Sequence, residues 1–144
     1  DNKFVYVLMG DGELQEGQIW EAALFAAHYK LSNLIAFVDV NGQQIDGPTQ
    51  KVINLGNLEA KFNAFGWRTM HMDGHDYDRI LATIQQAQNP HQDNLPTIIL
   101  MKTIMGKGVS FMEGTHEWHG VAPNDQQLSI ALNELQKTLG DYKN

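Results

Sequence analysis

A chain of 144 residues is long enough for one domain with a real core, and 42% hydrophobic residues mark a globular rather than a disordered composition. The net charge of −7 argues against a nucleic-acid backbone or an anionic membrane surface as the main partner, though not against a phosphorylated small ligand whose charge a metal offsets locally. With no cysteine, disulfides and thiolate chemistry are excluded, and no apolar run approaches membrane-spanning length.

The chain opens on Asp1 rather than Met, "DNKFVYV" does not read as a signal peptide and a strand is expected almost at once, which suggests that upstream residues are missing. A soluble, cytoplasmic protein is the default expectation. "KFVYVLMG" (3–10) is a continuous apolar run closed by glycine, the pattern of a strand buried on both faces in a parallel sheet. Residues 16–32 switch to helical period, with Trp20, Ala23, Leu24, Ala27 and Leu31 on one face. "NLIAFVDVN" (33–41) predicts a second buried strand, and 42–56 a long loop with turn residues at Gly42, Asp46-Gly47 and Pro48. A short helix over 57–66 is closed by Gly66. A strand over 67–74 follows, then a helix over 75–88 with Tyr77, Ile80, Leu81 and Ile84 inward, then a strand over 95–103. Residues 104–123 read as a loop rich in Gly, His and Met. The last helix starts after Pro123, with Asn124 as N-cap and Gln127 as its capping-box partner. Leu128, Ala131, Leu132, Leu135 and Leu139 line one side of it, and Gly140 ends it.

Alternating strands and helices without internal repeat predict one α/β domain over 1–144, an open and mostly parallel sheet with helices on both faces. In such sheets ligands bind beyond the carboxyl ends of the strands. The polar stretches 10–17, 39–47 and 102–120 all follow strands and should gather at one sheet edge.

Gly10 and Gly12 let the main chain approach a ligand closely, and Asp11 between them is a hard oxygen donor at a strand end. The helix beginning a few residues later favours anions at its N-terminus. By itself, Asp-Gly after a strand also fits a plain turn. Asn41, thirty residues after Asp11 and at the end of the next strand, offers a second hard oxygen, and a backbone carbonyl assigned to Gln43 a third. With diphosphate oxygens and water these would complete the octahedron that Mg²⁺ demands, and Ca²⁺ also fits an all-oxygen site.

Gly-Asp-Gly followed about thirty residues later by Asn is the thiamine-diphosphate motif, and this version resembles the transketolases. The resemblance rests on residues 10–47, "DGHD" (73–76), "KTIMGKGVSFME" (102–113) and "EWHGVAP" (117–123), and so covers nearly the whole chain. Val40 departs from the pattern: many thiamine enzymes carry Asn or Asp just before the ligand Asn. That position is not a metal ligand in the family, so the site should survive.

The resemblance implies that Asp11, Asn41 and Gln43 hold a divalent metal and that Gly10, Gly12 and Glu13 belong to the cofactor site. It further implies that Ile45 makes an apolar contact to the thiazolium ring and that Lys102 lies near the cofactor. Glu16 resembles the carboxylate that links paired active sites across a dimer interface, while a helix-start residue complementing the dipole is the alternative. His119, in "WHG", is placed beside diphosphate and substrate, where an imidazole can shuttle a proton. Trp118 reads as packing, His28 as a core or interface residue, His71 and His91 as surface or structural, and His75 as a neighbour of a helix cap.

The activity implied is transfer of a two-carbon ketol unit from a ketose phosphate to an aldose phosphate, as in the pentose phosphate pathway. In the family a second domain grips the aminopyrimidine and supplies the activating Glu, and the expectation is that residues 1–144 do not include it. The chain resembles the later part of the amino-terminal subunit of a split transketolase. It is therefore expected to need a pyrimidine-domain partner, in a dimer or heterotetramer, and to be inactive alone. Another thiamine enzyme, of the 2-oxo acid dehydrogenase or deoxyxylulose-phosphate synthase type, and a non-catalytic assembly module stay open as alternatives.

Overall fold

The structure, a computed structural model, describes residues 3–89 and 93–135. Its elements run β1 (Val5–Gly10), a 3₁₀ turn η1 (Glu13–Gln15), α1 (Gly17–His28), β2 (Leu34–Val40), β3 (Gln43–Gln44), β4 (Gly47–Pro48) and α2 (Thr49–Val52). They continue with α3 (Leu58–Ala64), β5 (Arg68–Asp73), α4 (Tyr77–Gln88), β6 (Thr97–Lys102), a 3₁₀ turn η2 (His116–Trp118) and α5 (Asp125–Glu134). The main sheet has order β1-β2-β6-β5 and every pairing in it is parallel, as the alternation of the sequence predicts.

Register sets the position of the site. Gly10 pairs with Asp39, Val40 with Lys102, and Asp73 with Lys102. The residues after these strand ends, 11–17, 41–47, 74–76 and 103–120, therefore leave the sheet at one edge, as expected for a parallel α/β sheet.

The core divides by strand parity. Ala36, Val38, Ile98 and Leu100 face one side with Met9, Leu14, Ala23, Ala26, Phe62 and Trp67, while Ile35 and Ile99 face the other with Met72 and Ala87. Aromatic rings tie the first cluster together: Trp20 stacks on Phe62 at 5.2 Å, and Phe62 meets Trp67 edge-on at 5.9 Å. The indole N–H of Trp20 donates to the Leu14 carbonyl (2.8 Å) and that of Trp67 to the Ala23 carbonyl (2.9 Å), so η1 and α1 are fixed to the core.

Several sequence expectations are corrected. β1 is not buried on both faces: Val5, Tyr6, Val7 and Leu8 are exposed, because β1 is an edge strand and α1 covers only its Met9 end. In α1 the inward stripe is Ile19, Trp20, Ala23, Ala26 and Ala27, and Leu24, 58% exposed, points out. α1 also ends at His28 rather than residue 32. There the Lys30 N–H bonds to the Ala27 carbonyl and the Leu31 N–H to the Ala26 carbonyl, a Schellman closure in which Lys30, at φ 52°, takes the position glycine usually fills. α4 is rotated from the predicted phase: Thr83 and Ala87 are buried, Ile80 packs inward, and Tyr77 (83% exposed) and Leu81 face out. The Asn124–Gln127 capping box forms as predicted, yet Ala131 is the buried residue of α5, while Leu128, Leu132 and Leu135 are exposed. Leu139, Gly140 and His91 lie outside the described residues. Among the described residues, no helix is long and apolar enough to cross a membrane.

Phe62→Ala removes the ring shared by both indoles. It is expected to cost about 3–5 kcal/mol of stability, measured as a lowered denaturant midpoint; a loss below about 1 kcal/mol would contradict this account of the core.

Candidate functional site

Two strand ends meet at Asp11. Its N–H donates to the Asp39 carbonyl (3.0 Å), continuing the β1–β2 ladder one step past the strand. The carboxylate is 3% exposed. One oxygen accepts the Gly12 N–H (2.9 Å) and the other the Gly42 N–H (2.8 Å), so the side chain bridges the loops after β1 and β2. Burial pushes the Asp11 carboxyl up from its ordinary value, the Gly42 and Gly12 N–H groups pull it down, and the neighbouring Asp39 charge pushes it up again. A nearby cation would relieve both the burial penalty and the Asp39 repulsion.

Asn41 sits across from Asp11, its side-chain oxygen accepting the Gln43 N–H (2.8 Å) in an Asx turn, with Gly42 at φ 76° between them. The β3–β4 hairpin then folds back so closely that a Cβ on Gly12 would stand 2.5 Å from the Gln44 Cβ. Glycine at 12 is a steric requirement of that approach. The Gln43 side-chain nitrogen donates to the Gly114 carbonyl (3.3 Å), while its buried Oε1 has no hydrogen-bond partner among the described residues.

These groups line a cavity of about 660 Å³. Gly10, Asp11, Gly12, Glu13, Glu16, Asn41, Gln43, Ile45 and His119 all border it, so nine of the ten residues predicted for the site come together. Glu13 accepts the Gly10 N–H (3.2 Å) and braces the turn. Glu16 is the N-cap residue of α1 but makes no side-chain cap bond, and it is exposed. Ile45 stands at the hairpin tip, largely exposed. His119 is exposed, and its N–H donates to the His116 carbonyl (2.8 Å), closing η2, which lies against β4.

Lys102 is the residue left apart. It ends β6 and borders a neighbouring cavity of about 540 Å³, shared with Asn41, Gly42, Glu59 and His71, rather than the Asp11 cavity. Sequence reasoning missed Gln15, Gln44, Val52 and Ile53 as lining residues. The Gln15 side chain donates to the Ile53 carbonyl (3.0 Å) and ties α2 to the site, a contact that no motif or periodicity announces.

The other histidines sort differently. His71 pairs with Glu59 (3.1 Å) on the surface, His28 is exposed and edge-on to Tyr29, and His75 stands beside the Asp76 cap, where its ring also accepts a backbone N–H. Trp118 packs edge-on against Phe111 at 5.0 Å.

Among the described residues, no group of three or more His, Cys, Asp or Glu is placed to hold a metal. The donor set at Asp11 is of another kind: one carboxylate, one amide oxygen and backbone carbonyls. These are hard oxygens suited to Mg²⁺ or Ca²⁺. The buried Asp11 carboxylate beside the Asp39 charge, the Gln43 oxygen without a hydrogen-bond partner among the described residues and the close approach at Gly12 all fit a metal-bound diphosphate.

The strand-end loops of this parallel α/β sheet thus form an acidic, oxygen-rich cleft at one sheet edge. The chain belongs to the family described as transketolase, thiamine diphosphate binding domain, which it matches over residues 1–140. It is 45% identical over 133 residues to the 6-deoxy-6-sulfo-D-fructose transketolase subunit SqwG of Clostridium sp. (strain MSTE9), covering 92% of this chain and 48% of that protein. It is 39% identical over 134 residues to an apulose-4-phosphate transketolase subunit from Phocaeicola vulgatus, covering 93% and 47%. The crystal structure of transketolase from Campylobacter jejuni superposes with a TM-score of 0.83 at 34% identity, over 91% of this chain and 20% of that one. The chain thus spans about half the length of the curated relatives SqwG and the Phocaeicola protein.

Gly12→Ala is expected to push the Gln44 hairpin away from Asp11 and weaken thiamine diphosphate binding in the assembled enzyme by tenfold or more, about 1.4 kcal/mol. Gly17→Ala, where nothing lies within 4 Å of the added carbon, serves as control. Calorimetric titration checks it; equal affinities in the two variants would contradict the steric argument.

Proposed function

We propose that this chain is the diphosphate- and metal-binding part of a transketolase that works together with a pyrimidine-domain subunit. The reaction is transfer of a two-carbon ketol unit from a ketose phosphate to an aldose phosphate. The observation that carries this reading is the buried Asp11 carboxylate, held between Gly12 and Gly42 and facing the same cavity as Asn41 and His119. The Clostridium and Phocaeicola relatives are named as transketolase subunits, which supports both the activity and the need for a partner.

In this proposal Asp11, the Asn41 side-chain oxygen and the Gln43 backbone carbonyl hold Mg²⁺ or Ca²⁺, and the Gly10–Gly12 backbone lies along the diphosphate. Glu13 fixes that backbone through its bond to the Gly10 N–H. Ile45, on the two-residue hairpin turn, offers the apolar contact for the thiazolium ring. Glu16, exposed at the start of α1, is the group turned towards a paired subunit. Lys102 acts at most on the far side of Asn41, from the neighbouring cavity. Thiamine diphosphate, when bound, supplies the electron sink that lets a carbon–carbon bond of the ketose break. This chain's part is to anchor that group, shield it from water and, through the His119 imidazole, exchange a proton with a substrate hydroxyl.

Asp11→Ala is expected to lower metal-dependent thiamine diphosphate affinity in the assembled enzyme by at least about 100-fold, about 2.8 kcal/mol. Calorimetry with Mg²⁺ present measures it, and an unchanged affinity would remove Asp11 from the metal site.

His119→Ala should separate chemistry from binding. Loss of a positioned proton-transfer group is expected to lower kcat/KM by ~10²–10⁴-fold, while cofactor affinity shifts by less than about tenfold, because Asp11 and Asn41 carry the anchoring. Steady-state kinetics paired with a cofactor titration tests this. Near-normal turnover takes His119 off the catalytic list, and a collapse of cofactor binding makes it an anchor instead.

A further inference from the structure

The turn between β5 and α4 meets the root of the His119 loop at three points. The Gly74 N–H donates to the Lys102 carbonyl (2.9 Å). A Cβ on Gly74 would stand 2.5 Å from the Thr103 Cγ2, so only glycine lets the turn lie this close. Beyond it, His75 Nε2 accepts the Ile104 N–H at 2.8 Å. A ring nitrogen accepts only when it carries no proton, so the His75 proton sits on Nδ1. The Asp73 side chain accepts the His75 N–H (2.9 Å) and the Asp76 side chain accepts the Arg79 N–H (3.0 Å), which fix the turn and the helix start on either side of the imidazole.

Ile104 is where the loop leaves the sheet, and the loop beyond it is knitted rather than slack. The Gly114 N–H returns to the Met105 carbonyl (2.8 Å), closing the loop on its own root. Gly106, at φ 67°, lies so near the Met112 carbonyl that a Cβ would stand 2.6 Å from its oxygen. Val109 is buried, Phe111 packs against Trp118, and the Ser110 hydroxyl and N–H both donate to the Glu134 carboxylate of α5. These contacts join Ile104 through a knitted loop to Trp118 and its neighbour His119. Thr103, one residue before, donates its N–H to the Val40 carbonyl and its hydroxyl to the Asp39 side chain, and Asp39 in turn receives the Asp11 N–H. The root of the loop is thus joined to the strand ends on one side and to His75 on the other.

We propose that His75 is a positioning residue whose bare Nε2 pins the Ile104 N–H and thereby sets where the 104–123 loop holds His119 over the cavity. This rests on the proposed role of His119. The bond itself does not, so the two are separable. Spatial connection alone does not establish coupling; variants that differ in whether they present an acceptor do.

His75→Phe keeps a ring of similar bulk without an acceptor, and His75→Gln places an amide oxygen near the Nε2 position. Amide hydrogen exchange is measured on the full chain. The Phe variant is expected to speed exchange at Ile104 by about fivefold to tenfold, while the Gln variant stays within about twofold of the parent. In the assembled enzyme, loaded with thiamine diphosphate and Mg²⁺ and assayed on the ketose–aldose pair the parent turns over, the Phe variant is expected to lose about tenfold in kcat. Its KM and cofactor affinity should stay within about threefold of the parent, and Gln should restore kcat. Parent-like exchange at Ile104 in the Phe variant overturns the pin. Faster exchange with parent-like kcat, or a Gln variant no better than Phe, overturns the positioning role. Near-normal turnover of His119→Ala, or a parent without ketol transfer, contradicts the functional reading instead, and the exchange comparison then decides the pin alone.

Discussion

The site depends on one buried carboxylate. Asp11 stands where β1 and β2 leave the sheet, and its two oxygens take one N–H from each of the loops that follow, Gly12 on its own side and Gly42 across the way. Without it those two part-buried N–H groups would lose their partners, at up to about 1 kcal/mol each. Burial still pushes the Asp11 carboxyl up, and the Asp39 charge alongside adds to that. The hairpin after Gly42 carries Gln43, Gln44 and Ile45 to the same cavity that Asp11 borders.

Much of this was legible in the sequence for a physical reason. Buried parallel strands are nearly all apolar, so Ile35–Val38 and Ile98–Leu100 announce themselves, and glycine with acidic or amide residues just after them marks the ligand edge. Capping residues act within a few positions of chain, which is why the Asn124–Gln127 box was readable. What could not be read depends on distant neighbours. β1 looks like β2 in composition, yet it lies at the sheet edge, and only topology distinguishes them. The phase of α4 is set by where Thr83 and Ala87 find room against the sheet, and small residues give little hydropathy signal. Lys102 belongs to the right strand end, but its separation from the Asp11 cavity is a matter of three-dimensional placement. The two-residue strands β3 and β4 are too short for any periodicity.

The exposed apolar residues give the surface a second character. Leu24, Phe25 and Tyr29 stand out from α1, with the Phe25 and Tyr29 rings 4.4 Å apart, and Val5, Tyr6 and Leu8 are open on β1. Apolar surface left in water forgoes about 25 cal/mol per Å², and contiguous patches of it commonly mark interaction surfaces. That is in keeping with a chain that spans about half of the transketolase subunits it matches, and with a proposed activity that requires a second subunit.

The central claim is that the Asp11–Asn41 cleft is a metal site for a diphosphate. The most direct test is a crystal structure of the assembled enzyme with thiamine diphosphate and Mn²⁺ in place of Mg²⁺, located by its anomalous signal. The account predicts a peak within coordination distance, roughly 2.0–2.6 Å as for hard divalent cations, of an Asp11 carboxylate oxygen, the Asn41 side-chain oxygen and the Gln43 carbonyl, with diphosphate oxygens and a water completing the shell. A diphosphate bound elsewhere, or a metal at the cleft that Asp11 does not touch, would contradict it.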